Sequence, residues 1–270
     1  MSRNFKSIEF FGIPGSGKTY CASIVREIFE KKGYTIFNAR ECIISGSKNL
    51  IKLDLIEKVA LNYFRLLNFK KKKNNNKINI KNNIKNIKLN SKYRVSYLKL
   101  KYQKICRKII LTKKNFRNIV KKLEEIFKDK TSLNQQYLFW IYELISSQII
   151  FEKYYKHKSK NLLLLDEGLI QRSFTINKKI PKEKKKNFFK YYFSNVPISK
   201  SIFLISSSQK KIKEVNKKRK VNNISKYKKN DELKKFLEFL NLYLIKQKKF
   251  KFLEIKNDKK LTSNLISTFS

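Results

Sequence analysis

Glycine, proline and long apolar runs are scarce in this chain. Its 270 residues include 6 Gly and 3 Pro, too few for the turns that join the many short strands of a β-sandwich. The chain reaches Gly12 before a signal-peptide core can develop, and no apolar run approaches the ~20 residues that a membrane span requires. We therefore expect a cytoplasmic protein that has regular helices and strands and no membrane span.

Cysteine is also rare. Cys21, Cys42 and Cys106 are isolated in the sequence, and no C-x-x-C spacing occurs. This distribution predicts neither a disulfide framework nor a zinc site.

Acidic residues are few compared with basic ones. The chain has 20 Asp+Glu against 65 Lys+Arg, a formal net charge of +45. One interpretation is a polyanionic partner such as nucleic acid. The other is a codon bias toward A and T, which also explains the abundance of Lys, Asn, Ile, Phe and Tyr. We favour the bias, and nucleic acid stays open as a partner.

The most specific motif is the segment Gly12-Ile13-Pro14-Gly15-Ser16-Gly17-Lys18-Thr19, with the spacing G-x-x-x-x-G-K-T. It follows an apolar run and precedes a helical pattern, which is the context that a phosphate-binding loop requires. Lys18 is expected to reach the β- and γ-phosphates of ATP, and the Thr19 hydroxyl to bind Mg²⁺. The predicted nucleotide-binding residues are Gly12, Pro14, Gly15, Ser16, Gly17, Lys18, Thr19 and Tyr20.

Apolar runs alternate with helical patterns along the chain. The predicted strands are 5–11, 34–37, 161–165, 201–205 and 250–255. The predicted helices are 19–32, 50–67, 93–127, 132–156, 178–193, 206–218, 231–248 and 261–269. This alternation predicts one doubly wound domain over 1–270, a three-layer α/β P-loop NTPase fold with five mainly parallel strands and helices on both faces.

A basic helical insertion over 68–130 interrupts this alternation. Its part 69–92 is nearly all Lys, Asn and Ile, and such low complexity predicts a partly disordered surface segment. An RNA-binding arm is the alternative, although 70–91 lacks the aromatic residues on which bases stack. A second polar and basic segment, 217–232, is predicted to form a mobile lid.

The predicted helix 132–156 carries an apolar and aromatic stripe that includes Tyr137 and Trp140. Ser132 or Asn134 is the expected N-cap, because their side chains can accept a hydrogen bond from the first-turn amides. We expect the stripe to belong to the core rather than to a binding surface.

Two acidic residues follow the strand 161–165. Ligands of parallel sheets bind at the carboxyl ends of the strands, so Asp166 is expected to hold Mg²⁺ through its water shell, opposite Thr19. Glu167 is expected to accept a proton from an attacking hydroxyl or water. The alternative is that this pair only complements the dipole of the following helix.

Two arginines are candidates for neutralising a transferring phosphoryl group, because a guanidinium matches the geometry of phosphate. Arg172 follows Glu167 by five residues, and Arg219 precedes the predicted lid. Arg40 and Glu41, after the second strand, are weaker candidates for contact with an acceptor.

In these motifs and their order the chain resembles the P-loop nucleoside and nucleotide kinases, thymidylate kinases in particular. The resemblance covers roughly the first forty residues and the part from 160 onward. It implies a five-stranded sheet and ATP-dependent transfer to a hydroxyl or phosphate acceptor. The chain departs from thymidylate kinases where Glu167, rather than arginine, follows Asp166, and where Cys42 follows Arg40-Glu41 in place of proline.

These observations favour an ATP- and Mg²⁺-dependent phosphotransferase with a small-molecule acceptor such as a nucleoside or nucleotide. The first alternative is a nucleoside triphosphatase coupled to a partner or nucleic acid, because an Asp-Glu pair also occurs in hydrolytic P-loop proteins. The second is a protein that binds ATP without turning it over.

Overall fold

The centre of the protein is a parallel sheet of five strands. The computed structural model describes residues 6–72, 91–128, 131–177, 179–208, 236–237, 240, 251–258 and 260–269. The strands are β1 (Ser7–Phe11), β2 (Thr35–Phe37), β3 (Asn161–Leu165), β4 (Ser201–Ser206) and β5 (Lys251–Lys256). They lie in the order β2-β3-β1-β4-β5, and every pairing is parallel.

The central strand β1 pairs with β3 on one side and β4 on the other. Glu9 lies opposite Leu165 of β3 and Ile202 of β4. Because all strands run the same way, the loop after β1 and the acidic residues after β3 meet at one edge of the sheet. This register brings together two motifs that are about 150 residues apart in sequence.

Helices account for most of the remaining described residues. They are α1 (Lys18–Lys31), α2 (Ala39–Gly46), α3 (Leu55–Lys72), α4 (Ser91–Leu111), α5 (Arg117–Ile126), α6 (Ser132–Ile150), α7 (Leu169–Ile176), α8 (Lys182–Asn195) and α9 (Leu261–Phe269). Short 3₁₀ turns lie at Ser47–Asn49 and Lys114–Phe116, and one π-helical turn, Phe151–Tyr155, follows α6.

The two faces of the sheet are covered by separate apolar clusters. On one face α1 and α9 pack on the sheet, where Phe269 contacts the rings of Phe29 and Phe203. The larger cluster on the other face joins the sheet to α2 through α8. The three-layer α/β P-loop architecture predicted from the sequence is therefore confirmed.

Two short helices were missed in the sequence. A capping box starts α2: the Asn38 side chain accepts from the Glu41 amide, and the Glu41 carboxylate accepts from the Asn38 amide, both at 2.9 Å. The other missed helix is α7, which directly follows Asp166 and Glu167. Both helices have only eight residues, which is too short for an apolar period to be recognised.

The predicted N-cap of α6 was wrong. Thr131, rather than Ser132 or Asn134, occupies this position, and its hydroxyl accepts from the Asn134 amide at 3.2 Å. Thr131 has the extended backbone that an N-cap requires, whereas Ser132 is already helical.

The described part of the predicted insertion is helical and packs on the core. The ring of Tyr102 on α4 lies 4.3 Å from that of Phe64 on α3, and the buried Glu57 pairs with Lys108 at 2.6 Å. The ends of the low-complexity segment belong to helices, since α3 continues to Lys72 and α4 begins at Ser91.

Several predictions lie outside the described residues. They are the central part of the low-complexity segment, 73–90, most of the predicted helix 206–218, Arg219, the lid 217–232, and most of the predicted helix 231–248. Across the ranges that the structure does describe, no helix combines the length and the apolar character needed to cross a membrane.

Candidate active site

The phosphate loop has the backbone that its glycines permit. Gly15 and Gly17 have φ values of 89° and 100°, in the left-handed region that side chains rarely adopt. Gly17 is the N-cap of α1, makes no side-chain cap, and is followed by no acid in the first turn. The first amides of α1 therefore point toward the loop, where an anion can accept from them.

Lys18 lies folded over its own loop. Its Nζ donates to the carbonyls of Gly12 at 2.9 Å and Ile13 at 3.2 Å, and lies 3.6 Å from Glu167 Oε1. Burial lowers the pKa of Lys18, and the charge of Glu167 opposes this effect. The loop thus holds the ammonium group within reach of the acidic residues after β3.

Glu167 also pairs with Arg172. Arg172 Nη2 lies 2.8 Å from Glu167 Oε2, and the guanidinium carbon lies 4.2 Å from the centre of the Trp140 ring. The structure therefore brings the predicted residues Lys18, Glu167 and Arg172 into one cluster. The N-cap of α7 is Gly168, so neither Asp166 nor Glu167 occupies that position. That the pair complements the dipole of α7 stays the alternative prediction.

A cleft of about 420 Å³ opens beside this cluster. Its lining residues are Thr19, Ala22, Ser23, Arg26, Asn38, Ala39, Arg40, Trp140, Glu143, Leu144, Leu164, Leu165, Asp166, Glu167 and Arg172. One wall is thus formed by α1 and the end of β3, and the other by α2 and α6. The predicted metal-binding residues, Thr19 and Asp166, line the same space.

The far wall of the cleft contains a polar group of three side chains. Arg40 Nε donates to Glu143 Oε1 at 2.9 Å, and the Tyr102 hydroxyl donates to the same oxygen at 3.1 Å. The Arg40 guanidinium also lies 4.9 Å from the centre of the Phe64 ring. Burial raises the pKa of Tyr102 well above its ordinary value, so this hydroxyl remains a donor. Arg40 is therefore held rigidly at the cleft surface.

Sequence reasoning missed Glu143 and misplaced Trp140. Glu143 is the only charged residue of α6, and a lone acid in an otherwise uncharged helix was the available signal. Trp140 was expected in the core, but it is half-buried and faces the cleft beside Arg172. Ile141 and Ile145 of the same stripe are buried as expected.

Two other predicted positions contribute less to the cleft. Glu41 is engaged in the capping box of α2 and also lies 3.9 Å from Arg26. Tyr20, predicted to contact the nucleotide, is 57% exposed on α1 and is absent from the cleft lining. The position of Arg219 is outside the described residues.

The arginine charges in the cleft are balanced by neighbouring carboxylates. Each of the three arginines of the lining has a carboxylate partner. The pairs are Arg26 with Glu30 at 3.3 Å, Arg40 with Glu143 at 2.9 Å, and Arg172 with Glu167 at 2.8 Å. In a chain with a net charge of +45, this cleft is therefore not a strongly cationic surface.

The oxygen donors at the mouth of the cleft suit one kind of metal. A threonine hydroxyl and an aspartate carboxylate are hard ligands of the type that Mg²⁺ accepts together with phosphate oxygens. Within the described ranges, no group of three or more His, Cys, Asp and Glu side chains is arranged to hold a metal ion. Thr19 and Asp166 fit a Mg²⁺ ion that arrives with a nucleotide.

No family model matches the sequence, and no curated protein matches it. Among solved structures, the chain is similar to a deoxyadenosine kinase from M. mycoides with bound dCTP, with 15% identity, 97% of each chain covered and a TM-score of 0.38. The resemblance to thymidylate kinases stays a prediction. The fold assignment rests on the sheet order and the phosphate loop of the chain itself.

Proposed function

We propose that the protein is an ATP- and Mg²⁺-dependent phosphotransferase whose acceptor is a small molecule bound in the cleft. The observation that supports this most is the second wall of the cleft. Arg40, Trp140 and Glu143 face the side that carries Thr19 and Asp166. A second substrate requires such a chamber next to the phosphate loop, whereas hydrolysis requires only a water molecule.

Each residue on the nucleotide side of the site has a defined role. The triphosphate accepts hydrogen bonds from the loop 12–19, and Lys18 turns from the loop carbonyls toward the β- and γ-phosphates. Thr19 and Asp166 would hold Mg²⁺, which would neutralise charge on the phosphate oxygens. Arg172 stabilises the charge that develops on the transferring group.

Glu167 takes the proton of the acceptor hydroxyl. Its two oxygens are engaged by Lys18 and Arg172, and Oε1 becomes free to accept once Lys18 moves to the phosphates. The acceptor oxygen then bonds to the γ-phosphorus, the bond from this phosphorus to the β–γ bridging oxygen breaks, and ADP leaves. Arg219 and the segment 217–232 stay predictions for closing the site over the phosphates.

The acceptor is an uncharged molecule that carries a hydroxyl group. On the acceptor wall, a phosphate acceptor would require a cation that is not already neutralised, but Arg40 there is paired with Glu143. Placing a dianion beside the Glu143 carboxylate is unfavourable. The ring of Trp140 and the polar edge of Glu143 suit a flat polar molecule, and a nucleoside is the first class to test.

The test is transfer of γ-³²P from ATP to matched pairs of nucleosides and nucleoside monophosphates, with the Lys18→Ala variant as the blank. We expect labelled monophosphate from at least one nucleoside and at least tenfold slower transfer to its monophosphate. Preferred transfer to monophosphates contradicts the uncharged acceptor. No transfer to any acceptor, with ATP bound, contradicts the phosphotransferase.

The triphosphatase stays as a second candidate because of the Asp166-Glu167 pair and the net charge of +45. Its signature is release of free phosphate without any acceptor, stimulated by RNA or DNA and suppressed by salt, since salt weakens contacts to phosphates. We expect phosphate release to stay below a tenth of the transfer rate when acceptor is present.

A further inference from the structure

A carboxyl group lies in the middle of the central strand, where an apolar side chain is the usual occupant. Glu9 is fully buried on β1, opposite Leu165 and Ile202 of the two neighbouring strands. Its neighbours in the strand, Ile8 and Phe10, are buried in the apolar cluster of the α1 face. A buried carboxyl group without partners costs several kcal/mol, so the contacts of Glu9 must compensate for its burial.

These contacts are backbone amides at the start of α7. Glu9 Oε1 accepts from the amide of Ile170 at 2.5 Å and from that of Gln171 at 3.4 Å. Ile170 and Gln171 are the second and third residues of α7. The first backbone amides of a helix have no partner within the helix. Since the N-cap Gly168 has no side chain to offer, Glu9 performs the capping from a different element.

Gly168 leaves the space that this carboxyl group occupies. A Cβ atom at position 168 would lie 2.1 Å from the carboxyl carbon of Glu9 and 2.4 Å from Oε2. Any side chain at this position would therefore displace Glu9 from the end of α7. The buried acid on β1 and the glycine after Asp166-Glu167 form one structural unit.

The start of α7 is connected to both halves of the site. The Gln171 side chain accepts from the amide of Gly12, the first residue of the phosphate loop, at 3.0 Å. The next residue, Arg172, binds Glu167 at 2.8 Å. The position of α7 therefore sets where these two contacts are made.

We propose that Glu9 is a positioning residue for phosphoryl transfer: by capping α7 it holds Gln171 on the phosphate loop and Arg172 on Glu167. Its carboxyl group is buried and does not line the cleft. The reaction part of this inference rests on the proposed function, whereas the capping of α7 does not.

The protonation state of Glu9 indicates which substitution preserves the hydrogen bonds of its side chain. Burial raises its pKa to about 8, and the amides of Ile170 and Gln171 and the charge of Arg172 counteract this. The titratable groups that interact with it are Arg172 on α7 and Tyr192 on α8, and its strand neighbours Leu165 and Ile202 are apolar. Near neutral pH most molecules carry the uncharged acid, which glutamine resembles in shape and as an acceptor.

The experiment compares Glu9→Gln with Glu9→Leu in the full-length protein. Leucine suits the apolar surroundings but cannot accept a hydrogen bond. Because small misplacements of catalytic groups are costly, we expect Glu9→Leu to lower kcat by about 10-fold or more, with the acceptor KM within about 3-fold. Glu9→Gln is expected to keep kcat within about 3-fold of the unmodified protein. Glu152→Gln, at an exposed ion pair of Lys156, is the control.

Amide hydrogen exchange measures the cap without any turnover. We expect the amides of Ile170 and Gln171 to exchange about 10-fold faster in Glu9→Leu and unchanged in Glu9→Gln, because loss of a cap frees the first turn. If Glu9→Leu does not fold, Gly168→Ala provides the second test, since it keeps the acid but displaces it. The same loss of kcat and of protection is expected there.

The possible outcomes distinguish the positioning role of Glu9 from the proposed function. Normal kcat in folded Glu9→Leu, or equal loss in Glu9→Leu and Glu9→Gln, overturns the positioning role and leaves the proposed function standing. If the unmodified protein phosphorylates no acceptor, the proposed function fails. In that case the amide exchange rates still test whether Glu9 caps α7. Unchanged exchange rates in Glu9→Leu show that it does not.

Discussion

Asn257 donates a hydrogen bond of 2.6 Å from Nδ2 to the backbone carbonyl of Ser16, although 241 positions separate the two residues. Asn257 follows β5, at the edge of the sheet. A Cβ atom on Gly17 would lie 2.4 Å from the same nitrogen, so the loop passes close beneath this amide. The end of the chain thus supports the phosphate loop at its beginning.

Replacing Asn257 with alanine is expected to weaken the binding of ATP. Loss of a partly buried hydrogen bond of about 1 kcal/mol predicts a Kd about 5-fold higher, because the loop carbonyl loses its support. Calorimetric titration with ATP and Mg²⁺ measures this. Ser263→Ala, which alters an exposed hydroxyl on α9, is the control. An unchanged Kd in Asn257→Ala means that the loop does not depend on β5.

Replacing Lys18 with alanine is expected to abolish transfer and preserve the fold. Removal of a cation that stabilises the transferring group predicts a loss of about 100-fold or more in kcat. The radiolabel assay measures the loss, and circular dichroism with urea unfolding verifies the fold. Lys31→Ala, at an exposed position of the same helix, is the matched control. Turnover above a tenth of normal in Lys18→Ala contradicts the assigned site.

Replacing Glu143 with glutamine is expected to change the choice of acceptor. The variant keeps the shape of the side chain but leaves Arg40 without its carboxylate partner, and removing one partner of such a pair has a large effect. We expect the KM for the neutral acceptor to rise about 10-fold, and relative use of the corresponding monophosphate to increase. Competition assays with both acceptors measure the ratio. A ratio that does not change places the acceptor away from Arg40.

The single tryptophan of the chain offers a direct signal of acceptor binding. Trp140 lines the cleft and stacks against Arg172 at 4.2 Å, so a bound acceptor changes its surroundings. We expect the fluorescence emission of Trp140 to change on titration with the acceptor and to reach saturation. In Trp140→Phe the acceptor KM is expected to rise by about 5-fold, since an aromatic contact is reduced but not lost. Saturation by ATP alone, with no further response to acceptor, contradicts this arrangement.

The stability of the protein is expected to depend on pH through Glu9. Burial raises its folded pKa from 4.5 to about 8, so the folded state retains a proton that the unfolded chain releases. The contribution of Glu9 to the free energy of unfolding is therefore complete below about pH 4.5. It decreases by about 1.4 kcal/mol per pH unit as the pH rises to about 8.

Urea unfolding of the unmodified protein and of Glu9→Gln at pH 5, 6.5 and 8 isolates this contribution, because glutamine does not titrate. We expect the difference in unfolding free energy between the two proteins to shift in favour of Glu9→Gln as the pH rises. A difference that stays constant means that Glu9 titrates at its ordinary value.

Local patterns predicted the elements whose signal is contained within a few residues. The loop 12–19 and the leucine-rich strand β3 are examples, because the phosphate motif has a fixed spacing and a fully buried parallel strand is continuously apolar. The same patterns failed at Trp140, since apolar periodicity identifies a helix face but not what that face meets. They failed also at Glu9, because its capping partner is a helix about 160 positions away.

The amino-acid sequence alone determined the phosphate loop, the alternation of strands and helices, and the acids that end β3, because each of these depends on backbone preferences and apolar spacing within one segment. Only the tertiary structure decided that Arg40 meets Glu143, that Asn257 supports Ser16, and that Glu9 caps α7. These contacts join segments that are distant in the chain, and their geometry comes from the packing of the sheet and its two helical layers.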